Sequence, residues 1–206
     1  MTAIDDCGRR RCFAWTALAM ALSLVPSAVL RAVADPPPVT VLVAYYSQSG
    51  NTEKMAQAVA DGARLISGTT VVLKKVADVS ADDLKKADGM VLGSPTYWGN
   101  MAGPMKMFID DWFLKYKVAL TDKVGGAFAS GGAETGGKEQ VIASLNLAMV
   151  NGGMVLVGPV RNGLGAAGVS AMSPVNEAAL KECRALGERV ATIARRVRGD
   201  GAGTSR

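Results

Sequence analysis

The sequence predicts a three-layer α/β fold: a doubly wound, open sheet of five parallel strands in the order 2-1-3-4-5. Three observations carry that expectation. Short, almost wholly apolar runs recur along the chain, as in strands buried on both faces of a parallel sheet. Segments of helical periodicity separate them, in unbroken alternation from residue 39 to residue 197, and such alternation means helices covering both faces. Glycine-rich turns follow several of the strands, where open α/β sheets bind their ligands.

Residues 39–44 (VTVLVA) form the first strand, short and rich in β-branched residues. A helix follows over 52–65, with Met55, Ala56, Val59, Ala60 and Ala63 at helical spacing and Gly68 just past its end. Residues 70–73 make the second strand. Ser80-Ala81-Asp82-Asp83 opens a short helix in the manner of a capping box. Residues 89–93 (GMVLG) are the third strand, and 104–112 a helix with Pro104 suited to its first turn. The fourth strand covers 124–130, a helix 137–150 and the fifth strand 153–158. The last helix, 175–197, places Ala179, Cys183, Leu186, Val190, Ile193 and Val197 on one stripe.

The first 34 residues are of another kind. Arg9, Arg10 and Arg11 precede an uncharged run from Cys12 to Leu30, and Ala32-Val33-Ala34 gives a small-x-small cleavage site before Asp35 and three prolines. Basic start, apolar middle and A-x-A end describe a secretory signal peptide. Arg10-Arg11-Cys12-Phe13 resembles the twin-arginine export motif, and Arg31 near the cleavage site suits that route. Arg9 departs from it, standing where Ser or Thr is usual. The expected organisation is a signal peptide over 1–34 and a single domain over 35–206, with a periplasmic location. Left uncleaved, the same run would anchor the chain in the inner membrane, since about twenty apolar residues span a bilayer.

Histidine is absent, which removes His-dependent triads, His acid/base chemistry and His-rich zinc sites. Three cysteines cannot make a disulfide framework, and only Cys183 survives cleavage. Cys183 reads as a buried core thiol. No metal site is expected. Cleavage also removes Arg9, Arg10, Arg11, Arg31, Asp5 and Asp6, leaving 19 basic and 16 acidic residues, net +3. That charge is mild and unclustered, so no nucleic-acid partner is indicated. The chemistry therefore belongs to a bound cofactor.

Of the 24 glycines, many fall in four loops. Ser47-Gln48-Ser49-Gly50-Asn51-Thr52, between the first strand and the first helix, offers hydroxyls, backbone N–H groups and a helix N-terminus to an anion. It lacks Lys and Arg, which suits a monophosphate; it also fits an ordinary N-capping turn. Gly93-Ser94-Pro95-Thr96-Tyr97-Trp98-Gly99-Asn100 follows the third strand, beside the switch point of a 2-1-3-4-5 sheet. Its aromatic pair either lies along a flat ring or packs beneath its own loop. Gly131 to Lys138 nearly matches a P-loop, but Glu139 stands where magnesium needs a hydroxyl. Residues 163–168 spell G-x-G-x-x-G without the strands a dinucleotide site needs, and read as a flexible connection.

Residues 45–52 (YYSQSGNT) after an apolar strand resemble the FMN-phosphate loop of the flavodoxin superfamily. Residues 93–103 (GSPTYWGNMAG) resemble the G-[ST]-P-T-x-[FY]-G-N-M-x-G segment of the tryptophan-repressor-binding-protein type of NAD(P)H:quinone oxidoreductase. Phe108-Ile109-Asp110, Lys123-Val124-Gly125, residues 136–140 (GGKEQ) and Gly153-Met154-Val155 continue the pattern in order, over roughly 39–160. The resemblance implies a flavodoxin-like fold and non-covalent FMN. By it, Ser47, Gln48, Ser49, Gly50, Asn51 and Thr52 hold the phosphate. Pro95, Thr96, Tyr97, Trp98 and Gly99 line the isoalloxazine, and Ser130, Gly131 and Gly132 close over the ring edge. Catalysis is then flavin-borne, with no catalytic side chain. NAD(P)H is the implied donor, a quinone or other small redox substrate the acceptor, and a homodimer or tetramer the assembly; the membrane enters only through the export signal. Asn151-Gly152 stands where the family carries a His pair, the segment after the last strand is shortened, and family members are usually cytoplasmic. The alternative is a flavodoxin-type carrier without a substrate of its own. Such carriers are typically strongly acidic, which steers them to basic partners.

Overall fold

A computed structural model describes residues 38–161 and 163–201, so the export signal expected over 1–34 lies outside the described residues. The central parallel sheet is built from β1 (Val39–Tyr45), β2 (Thr69–Lys75), β3 (Gly89–Tyr97) and β5 (Val124–Gly131) in the order β2-β1-β3-β5. β4 (Asn100–Met101) folds back antiparallel on the end of β3. The expected doubly wound order holds, with one difference at the edge. The fifth strand, expected over 153–158, is divided: β6 (Val155–Leu156) pairs with the start of β5, and β9 (Val169–Met172) pairs with its end. Between them β7 (Val160–Arg161) and β8 (Leu164–Gly165) form a small hairpin. The connection read as flexible is thus an ordered excursion. Of its three motif glycines, Gly168 serves packing, since a Cβ there would stand 2.4 Å from the Ala127 carbonyl oxygen, while Gly163 and Gly165 face open space.

β1 shows why the layers form. Val41, Val43 and Tyr45 point to one face and Leu42 and Ala44 to the other, all buried, the period-two alternation of a strand covered on both sides. Each buried Val or Leu contributes about 1.5–3 kcal/mol. On the first face lie α1 (Asn51–Arg64) and α5 (Glu177–Gly201), bringing Met55, Val59, Cys183, Leu186 and Val190. On the other lie α2 (Ala81–Lys86), α3 (Gly103–Leu114) and α4 (Lys138–Asn151), bringing Leu84, Met105, Phe108, Leu145 and Met149. α1 and α5 meet backbone to backbone: a Cβ on Gly187 would stand 1.9 Å from the Val59 carbonyl oxygen, and one on Gly62 equally close to that of Arg184. Cys183 is buried as expected, and burial, with Glu182 beside it, pushes its thiol up to about 12, so it stays protonated and inert.

Candidate functional site

β1, β3 and β5 all run to the same edge of the sheet, and the loops that follow them meet there. After β1, the chain enters α1 through Gly50, whose φ of 84° is the left-handed conformation that favours glycine. The Gly50 N–H bonds the Ser47 hydroxyl at 3.1 Å, and the Asn51 amide donates to the Ser49 hydroxyl at 3.2 Å. No side chain caps this helix N-terminus, so its first-turn N–H groups remain available to an anion. Glu53, the acid of the first turn, accepts a hydrogen bond from the Tyr45 hydroxyl at 2.8 Å. Burial, the Glu53 carboxylate and Asp78 together push the Tyr45 phenol up to about 12.

The second segment is less of a loop than its composition suggests. β3 continues through Gly93-Ser94-Pro95-Thr96 to Tyr97, pairs Tyr97 with Asn100, and turns over Trp98 and Gly99. Both turn residues have positive φ, 51° and 76°, the signature of a type I′ hairpin. For a tryptophan that conformation is strained. Its side chain does not pack beneath the loop; it is fully exposed, at 105% of the reference area. Tyr97 stands edge-on to Tyr46 at 6.5 Å, and its hydroxyl donates to Gln48 Oε1 at 3.1 Å, joining the second loop to the first. Ser94 is buried beneath: its hydroxyl donates to the Pro95 carbonyl at 2.8 Å and accepts from the Ala102 N–H at 2.9 Å.

The third segment begins inside β5, which ends with Ser130 and Gly131. Gly132 faces open space. A Cβ on Gly131 would meet Thr96, and one on Gly137 would lie 2.9 Å from Gly99 Cα, so this loop rests against the β3–β4 hairpin. The Lys of the near P-loop is turned inward: Lys138 is buried, and its ammonium donates to the carbonyls of Ala133 and Glu134 at 2.7 and 2.8 Å. It holds the loop together. Thr52 Oγ1 and Ser130 Oγ share a buried hydrogen bond of 2.8 Å, and Asn51 Oδ1 accepts from the Val175 N–H at 3.3 Å.

All the predicted segments therefore converge, from Ser47 to Thr52, from Pro95 to Gly99 and from Ser130 to Gly132. Among the described residues the fully buried polar side chains are Thr52, Ser94, Ser130 and Lys138, and every one lies at this edge. The sequence alone does not single out Lys138, which braces the third loop from inside without entering the crevice, and it leaves Ser94 and Tyr46 out of the site. A lysine directly after Gly-Gly at a helix start was the available signal for the first. Asn151-Gly152 falls elsewhere: Asn151 ends α4, the helix that Lys138 begins, so it lies about 20 Å along the helix axis from the crevice. Beside the crevice, a groove of about 540 Å³ runs between α3 and α4, lined by Met101, Lys106, Ile109, Leu147 and Asn151 among others.

Residues 37–165 match the family described as NADPH-dependent FMN reductase. The chain belongs to that family. It is 37% identical over 156 residues to a flavodoxin of Aquifex aeolicus, covering 73% of this chain and 84% of that one. It is 36% identical over 143 residues to an NAD(P)H dehydrogenase (quinone) of Geotalea daltonii, covering 57% and 70%. Among solved structures it is similar to a flavodoxin, WrbA-like protein from Agrobacterium tumefaciens: TM-score 0.63, 30% identity, 77% of this chain and 98% of that one. Membership in the FMN reductase family makes FMN the cofactor, with NAD(P)H a donor that fits.

The residues at the edge suit that group. The uncapped N-terminus of α1, two serine hydroxyls and the open space at Gly50 make a cradle for a doubly charged phosphate, with no carboxylate in the loop to repel it. Thr96 Oγ1 is buried without a hydrogen-bond partner, which leaves a hydroxyl donor for a group carrying carbonyl and nitrogen acceptors. Tyr97 and Trp98 supply aromatic surface beside it.

Proposed function

We propose that this protein is an FMN-dependent NAD(P)H:quinone oxidoreductase that takes two electrons from a nicotinamide and passes them to a quinone or a similar small acceptor. FMN supplies the hydride chemistry when bound; the protein's part is to hold and shield it. Ser47 to Thr52 bind the phosphate. Pro95 to Gly99 and Ser130 to Gly132 flank the ring, and Thr96 donates to its polar edge. One observation carries the reading. Exposed Trp98 and bare Gly132 border the crevice, leaving room for a second flat ring to stack. Steady-state reduction of a water-soluble quinone by NADH or NADPH, with the FMN-loaded protein, tests it: turnover above that of free FMN is expected, and none would refute it.

The flavodoxin name of the Aquifex relative favours a second reading, an electron carrier. The net charge of +3 over residues 35–206 argues against it, since it provides no acidic field to steer a basic partner.

Location and assembly complete the proposal. The protein is exported by the twin-arginine route, which carries folded chains and so lets FMN load beforehand. It assembles as a homodimer or tetramer through the exposed apolar side chains of α3 and α4, Met107, Phe113, Leu114, Leu147 and Val150. Sedimentation of the FMN-loaded protein should give a mass above that of one chain.

A further inference from the structure

Lys138 is an unusual place to keep a charge. Its side chain is 4% exposed, and its stem runs so close to Gly131 that a Cβ there would lie 2.8 Å from Lys138 Cγ. Two of its three N–H donors go to the carbonyls of Ala133 and Glu134. Among the described residues no carboxylate forms an ion pair with it. The adjacent Glu139 carboxylate is engaged instead by the Ser170 hydroxyl at 3.0 Å. Lys138 also opens α4, where the helix already carries partial positive charge and no side chain caps it. Two like contributions thus share one buried spot behind Gly131, and only neutral carbonyls bond the ammonium. Burying an ammonium that way is costly without a negative partner.

We propose that Lys138 is a positioning residue that raises the two-electron reduction potential of the bound flavin. This rests on the FMN reading of the crevice. A hydride from the nicotinamide brings two electrons and one hydrogen to the oxidised ring; the nicotinamide leaves as its cation, and the flavin gains one negative charge. The cation held inside the 131–137 loop favours that charged form over the neutral oxidised one. Pinned by two carbonyls of its own loop, it does not itself grip the phosphate, so it acts on the redox change and little on binding of the oxidised cofactor.

The test uses the FMN-loaded full-length protein and the variants K138Q and K138R. Two quantities are read: the affinity for oxidised FMN by titration, and the two-electron midpoint potential at pH 7 against reference dyes. Gln keeps a neutral donor for the loop carbonyls, and Arg keeps the charge. K138Q should bind oxidised FMN nearly as well as wild type while its potential falls by about 30 mV, a tenfold weaker preference for the reduced cofactor. K138R should hold the wild-type potential. An unchanged potential in K138Q would overturn the proposal. Equal falls in both variants would also overturn it, and so would loss of FMN binding in K138Q, because loop shape and not charge would then be the contribution. If the wild-type protein itself takes up no FMN, the functional reading fails, and this inference fails with it.

Discussion

Thr52, the second residue of α1, and Ser130, the penultimate residue of β5, are joined hydroxyl to hydroxyl at 2.8 Å across 78 residues of sequence. Both are buried. The bond ties the loop that opens α1 to the loop that follows β5, so the two halves of the proposed FMN site are set relative to each other by the core of the domain.

Thr52→Val keeps the shape and removes one partner, leaving the Ser130 hydroxyl buried and unsatisfied. It should cost about 1–3 kcal/mol in urea unfolding. Adding Ser130→Ala should recover part of that loss, because neither partner then remains to be desolvated alone. Additive losses in the double variant would show that the two hydroxyls do not depend on each other.

Gly50→Val places a β-branched residue at a φ of 84° and a side chain in the open space beside the first turn of α1. The backbone strain alone is about 1–2 kcal/mol, and FMN affinity should fall by at least about tenfold as the cradle distorts. Gly50→Asn, which tolerates the left-handed region, should bind better than Val. Fluorescence titration with FMN reads both, and unchanged affinity in the Val variant would rule the cradle out.

Most of the fold was legible because its signals are local. The apolar runs of β1 and β5, the capping box at Ser80 and the stripe on α5 each name their element without reference to the rest of the chain. The Ser80 prediction extends to atoms: its hydroxyl accepts from the Asp83 N–H at 3.2 Å, and the Asp83 carboxylate accepts from the Ser80 N–H at 2.8 Å. The divided edge strand was not legible. Val169–Met172 is four residues long, and its identity as strand comes from β5 alongside it, not from its own composition. By composition β3 ends at Gly93, because Pro95 and Gly99 are turn residues by type, yet it runs on to Tyr97; Pro95 is tolerated as β3 nears its end. Within the site, loop membership could be read from spacing. The inward turn of Lys138 could not, because it depends on the carbonyls of Ala133 and Glu134 coming to it.

The capping box gives a pH prediction. Burial raises the Asp83 carboxyl, but the Lys74 ammonium at 2.7 Å and the N–H and hydroxyl of Ser80 outweigh it and hold the group at about 2. A folded-state value below the unfolded one, near 3.9, stabilises the fold above about pH 4. That contribution, about 2 kcal/mol, is lost as pH falls through 2. Asp83→Asn should therefore be less stable than wild type at pH 7, with the gap closing between pH 4 and pH 2. Urea midpoints at a series of pH values would show it; a gap independent of pH would contradict the assignment.

Export is tested at Arg10 and Arg11. Replacing both with Lys should leave the precursor in the cytoplasm, whereas the wild-type chain should reach the periplasm already carrying FMN. Fractionation with flavin analysis of each compartment separates the outcomes. Normal export of the double variant, with flavin bound, would exclude the twin-arginine route.

The proposed function requires this crevice to support two-electron chemistry on FMN with a substrate of its own. Stepwise anaerobic photoreduction of the FMN-loaded protein, with full spectra at each step, tests it most directly. The expected course runs from oxidised to fully reduced flavin with little one-electron-reduced form, and a quinone added afterwards restores the oxidised spectrum. A dominant, long-lived one-electron-reduced flavin that no quinone reoxidises would contradict the claim and identify a carrier.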